Sequence, residues 1–257
     1  MKKTLLVIVA ALVGVLIALV GFAPATLADW GLQKATAGRM GLAETEGTVW
    51  SGSGRLVLID INDRTEGLRT VAGVAVPGRL NWTINKLPLF LGIVDADVQL
   101  DGMSDQIKLS GDVNEMRISP GQVSLPSVDL GRLGSPWNTI KPAGALALRW
   151  EGLVLREGSF QGRADIELRN MASALTPVNP LGSYRIGVVG EGAAAKLDIT
   201  TISGPLLLDG NGTWSARRGV NFTAYARAEE QERTRLQTLL GLIGRRQGDK
   251  TLIKIGA

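Results

Sequence analysis

The chain has no cysteine and no histidine among its 257 residues. Without cysteine, a domain exposed to an oxidising compartment gains no disulfide support and must rest on its core. Without histidine, it loses the usual general base, the commonest metal ligand and the Ser-His triad together. An envelope hydrolase is disfavoured on those grounds. Charge of one sign is also scarce. The formal net charge is +4, and Lys2 and Lys3 supply two of those charges, leaving +2 for the rest. That is too little to track a phosphate backbone, so nucleic acid is not an expected partner. The mild excess of Lys and Arg after Arg217 reads as a solvated surface. A second long apolar run is missing as well.

The one such run goes from Leu5 to Ala23, LLVIVAALVGVLIALVGFA, and carries no charge. About 20 apolar residues span the hydrocarbon of a bilayer as a helix. Lys2 and Lys3 precede it, which predicts a cytoplasmic N-terminus and an exported remainder. A cleaved signal peptide is the competing reading, since Ala23-Pro24-Ala25 offers small residues for cleavage. The run is longer than the ~7–15 residues of an ordinary signal core, which favours an uncut anchor. The expected organisation is therefore an anchor over 1–23, a helical stalk over 24–46 and a periplasmic β-rich domain over 47–257. Pro24 suits a first helical turn, and Gly38 a helix end.

From Gly47 onward the apolar period is two. Leu80, Trp82 and Ile84 alternate with polar residues, as do Val94 to Leu100, Phe160 to Leu168, Leu197 and Ile199, and Val220 to Ala224. This predicts half-buried antiparallel strands, on the order of ten or more, with one apolar and one wet face. Turns are expected at Asp101-Gly102, Pro120-Gly121, Glu157-Gly158, Asp209-Gly210 and Arg218-Gly219. Short helical corners are expected at 86–92 and 171–175, and an irregular connection at 126–142. The fold class is mainly β, a large one-faced sheet curled into a groove or folded as a sandwich. Over 229–243, Leu236, Leu239, Leu240 and Ile243 repeat at helical spacing, which predicts an amphipathic helix serving as a lid or a partner surface. A last strand is expected over 251–255.

Motifs of chemistry fail on context. Gly190 to Ala195 fits a dinucleotide glycine pattern, but the β-branched residues after it predict a hairpin and no helix. Asp60, Asn62 and Asp63 lack EF-hand spacing. Asp95 and Asp97 share the wet face of one strand. Three Asn-X-Thr triplets, at Asn81, Asn211 and Asn221, are glycosylation sequons in form only. No catalytic, cofactor-binding or metal-binding residue is assigned. Trp50, Trp82, Trp150 and Trp214 each close a stretch that starts at a Gly, and are expected to be core anchors.

Gly47-Thr48-Val49-Trp50-Ser51-Gly52, shortly after the apolar run, resembles the type II secretion system protein N family. Leu80-Asn81-Trp82, Gly182-Ser183-Tyr184, Gly204-Pro205-Leu206, Gly210-Asn211-Gly212-Thr213-Trp214 and the Leu-rich 236–244 follow in the order that family shows. The resemblance implies a non-enzymatic accessory component of the inner membrane, with other secretion-system components as partners. It brings no catalytic residues. The alternative left open is an envelope protein that holds lipid or an apolar chain in a β-groove. Such a protein would look like AsmA-type proteins in fold only.

Overall fold

A computed structural model describes residues 20–59, 73–101, 103, 105–129, 140–215 and 217–256. Among them, seventeen strands join into one antiparallel sheet. The first half holds β1 (Met40–Gly47), β2 (Ser51–Ile59), β3 (Gly73–Ala75), β4 (Leu80–Ile84), β5 (Val94–Leu100), β6 (Ile107–Gly111), β7 (Glu115–Ile118) and β8 (Gly121–Asp129). Next come β9 (Pro142–Trp150), β10 (Leu153–Arg156), β11 (Ser159–Ser173), β12 (Gly182–Gly192), β13 (Ala194–Ser203), β14 (Leu206–Ser215) and β15 (Gly219–Ala228). The sheet ends in β16 (Arg245–Gln247) and β17 (Lys250–Ile255). The helices are α1 (Thr26–Ala35), the single turn α2 (Lys86–Leu89) and α3 (Arg233–Ile243).

The strands form a meander. β1 pairs with β2, β2 with β4, and the ladder continues through β5, β6 and β7. β7 with β10 and β8 with β9 make one long hairpin, since Ile118 lies opposite Leu153 and Gly121 opposite Trp150. The long β11 flanks both β9 and β10, and β12, β13, β14, β15 and β17 follow in turn. β16 closes a hairpin onto β17, and β3 lies on the far part of β2.

Register keeps the apolar positions on one face. Trp82 lies opposite Val98, Ile166 opposite Ile186, and Val188 opposite Leu197. Because the side-chain period is two, a one-residue slip would turn each strand inside out. Charge pairs on the wet face hold the same register. Glu167 faces Arg185 across β11 and β12 at 3.2 Å, and Glu115 faces Arg156 across β7 and β10 at 2.6 Å.

Several expectations need correction. The helical stretch after the apolar run ends at Ala35, and Met40–Gly47 is already a strand, so the sheet starts before Gly47. Residues 171–173 are the end of β11, not a helical corner, because the strand resumes after a bulge at Asn170. Asp209-Gly210 is no turn; it sits inside β14, opposite Ala224 and Tyr225. Pro126 belongs to β8, at a register shift between Leu125 and Val128 where no ladder donor is demanded of it. α3 starts at Arg233, after a 3-10 turn at Glu230–Glu232. Val113 stands 96% exposed in the β6–β7 turn. The 190–195 segment is the β12–β13 hairpin, as its alternation implied.

Residues 1–19 of the anchor expected over 1–23, the Asp60–Asp63 cluster and most of the 126–142 connection lie outside the described residues. Among the described residues, no helix is long and apolar enough to cross a membrane.

Candidate functional site: an apolar groove and an N-terminal clamp

The sheet's apolar face is closed at one end and open at the other. At the closed end α3 lies on β15 and β17. Leu236 and Leu239 are fully buried among Val178, Leu181, Leu206, Ala226 and Ala228. Leu240 and Ile243 are partly buried against the same cluster. The alanines on β15 let the helix come close. Its backbone is tied down as well: the Arg235 carbonyl accepts from Thr176 Oγ1 at 3.2 Å, and the Pro205 carbonyl accepts from Glu229 N at 2.8 Å. Gly182 and Gly204 pack backbone against backbone at the turn before β14. Gly204 has φ +111°, and a Cβ there would collide with the Gly182 Cα and the Leu181 carbonyl. Next to them the Tyr184 hydroxyl donates to the Leu206 carbonyl at 3.0 Å. Burial pushes that phenol's pKa up, so it stays a donor.

At the open end, Leu155, Phe160, Val188, Ala195, Leu197, Trp214 and Val220 line a cavity of about 460 Å³. These residues come from β10 to β15. A flat sheet would separate β10 from β15 by roughly 24 Å, five strand spacings. Shared lining fits a sheet curled into a groove. Gly210 and Gly212 of β14 lie opposite Ala224 and Phe222 on the inner face, where a Cβ at either would collide with β15. Arg156 and Ser159 stand at the rim. The volume and apolar lining suit a hydrophobic ligand or chain.

The Gly47–Gly52 motif builds a different feature. It grips the segment that leaves the apolar run. Val49 N donates to the Ala23 carbonyl at 2.9 Å, Ala25 N to the Gly47 carbonyl at 3.2 Å, and Trp50 Nε1 to the Val20 carbonyl at 2.7 Å. Trp82 locks the motif from the sheet side, donating Nε1 to the Val49 carbonyl at 3.0 Å. A Cβ at Gly52 would sit 2.7 Å from the Trp82 ring and 2.6 Å from the Glu46 carbonyl, so glycine is required there.

The four tryptophans thus divide. Trp82 and Trp150 are buried, with Trp150 Nε1 donating to the Ser119 carbonyl at 2.7 Å. Trp50, in contrast to the expected core role, lies in a turn and clamps the N-terminal segment; Trp214 lines the groove. Spacing alone did not separate these roles, because all four follow a glycine and an apolar residue.

No cluster of three His, Cys, Asp or Glu side chains gathers among the described residues. Asp95 is held by Asn85 Nδ2 at 2.9 Å and Lys108 Nζ at 3.3 Å, and both hold its pKa below the ordinary aspartate value. It is one member of a polar surface network.

No curated protein and no solved structure matches the chain. The family model described as type II secretion system (T2SS), protein N, matches residues 38–252, from β1 into β17. With the motif order seen in the sequence, that match over most of the chain shows that the protein belongs to the type II secretion system protein N family.

Proposed function

We propose that the protein is a non-enzymatic, single-pass inner-membrane component of the type II secretion system. Its N-terminus is cytoplasmic and its sheet periplasmic. There it supports export of folded proteins across the outer membrane, in contact with other components of the machine. The family match over residues 38–252 carries this reading. The clamp on residues 20–25 supports it, because it joins the sheet rigidly to the end of the apolar run. Deleting the gene tests it. Loss of exoprotein export, restored by the intact gene, is the expected outcome. Normal export would refute it.

A second reading is favoured by the groove itself. An open apolar cavity of about 460 Å³ suits a lipid or another apolar chain. Mass spectrometry of the purified protein should then find co-purified lipid that Val188→Trp excludes. Altered outer-membrane lipid with export intact would make this role the primary one.

A further inference from the structure

The clamp fixes more than the N-terminal segment. Ile84 N donates to the Trp50 carbonyl at 2.7 Å, and Lys86 Nζ lies 5.5 Å from the centre of the Trp50 ring. The chain leaving β4 is therefore tied to the same Trp50 that holds the Val20 carbonyl. It then turns through α2 and returns as β5. That corner carries Leu87, Phe90 and Leu91 at 79%, 83% and 79% exposure, with Ile93 at 43%. Side chains this apolar and this contiguous are not left in water without cause.

The backbone of the corner is prepared for a dry setting. Phe90, Leu91 and Gly92 donate to the carbonyls of Leu87, Pro88 and Leu89, and Ile93 donates to that of Pro88. Pro88 has no N–H to satisfy. A turn closed on itself in this way can enter a low-dielectric layer without stranding those donors. Between Ile84 and Val94 the only charged residue is Lys86, a cation suited to anionic headgroups. On the other side of the clamp Phe22 is 81% exposed and Trp30 62%, with Lys34 over the Trp30 ring. Trp and Lys beside exposed aliphatic groups make an interfacial composition.

We propose that the Lys86–Ile93 corner is seated in the bilayer surface beside the anchor, giving the protein a second membrane contact. The partner is lipid. The reason is continuity: the apolar run ends at Ala23, whose carbonyl accepts from Val49 N, and Trp50 Nε1 holds the carbonyl of Val20 within its last turn. The proposal rests on the membrane reading of that run.

The absence of cysteine makes the test direct. Single Leu87→Cys and Phe90→Cys variants of the full chain are labelled with bimane. They are reconstituted into phosphatidylethanolamine–phosphatidylglycerol vesicles. Ile202→Cys, 48% exposed at the opposite end of the sheet, is the comparison. Seating about 5–10 Å into the interface predicts quenching by nitroxide-labelled lipid and protection from aqueous iodide at 87 and 90. The reverse is expected at 202. Iodide quenching at all three positions would overturn the proposal. Carbonate extraction separates the two levels. Release of the protein defeats the anchor, whereas retention with iodide-quenched corner labels defeats the corner alone.

Discussion

Trp82 and Trp150 show how single side chains hold a thin fold. Each ring is buried and each indole N–H finds a carbonyl. Truncation removes both the packing and the hydrogen bond. Trp82→Ala and Trp150→Ala are each expected to cost about 3–5 kcal/mol in urea unfolding. Gly52→Ala is expected to cost roughly 1–3 kcal/mol, since the new methyl meets backbone on one side and the Trp82 ring on the other. Ionisable residues act more gently. Arg117 and Arg156 hold the Glu115 carboxyl below its ordinary 4.5, and Arg169 and Arg185 do the same for Glu167. A depressed native pKa adds stability above the unfolded value and loses it as pH falls through the native one. The melting temperature should therefore be flat above about pH 5 and fall below about 4.5, less steeply in Glu115→Gln/Glu167→Gln. Both carboxylates face solvent, so the difference is small.

Among the elements, α3 is the one whose removal would open the fold. Leu236→Ala is expected to cost about 2–5 kcal/mol, while Leu242→Ala, on a 56% exposed side chain, stays within about 0.5 kcal/mol. Equal losses at both positions would show that the helix does not lie on the sheet as described. Its stripe was legible in the sequence because 3.6-residue spacing is visible without knowing the partner. Most strands were legible for the same reason, with a period of two. What stayed hidden had no period. β1 carries Glu44, Thr45 and Glu46 in succession, broken by a bulge with Glu44 at φ +51°. β16 is Arg-Arg-Gln, exposed throughout and held by its pairing with β17. The groove was legible only as a set of inward positions. That Leu155 and Val220 line one cavity depends on how six neighbouring strands are set together, which is written in none of them.

At the scale of the molecule, the closed end, the open groove and the clamp lie along one continuous sheet. If the first contact with the bilayer is the apolar run, a reporter fused after Ala257 is active only outside the cytoplasm, and the protein resists carbonate washing. A shorter, soluble periplasmic form would show instead that the run is cleaved.

The meander has a consequence for how the molecule comes into being. Most strands pair with the one before them in the chain, so a chain delivered N-terminus first can add those strands to an edge already formed. Most described strands wait only for a near neighbour; β7 waits for β10, and Val178 and Leu181 wait for α3. The growing edge is the vulnerable place, since an unpaired strand invites foreign pairing. Late elements cover part of it: α3 follows fifteen strands in the chain and covers the exposed apolar end, and the three-residue β16 pairs along part of the last edge with two arginines. The helix that closes the apolar face is thus made only after the strands it closes.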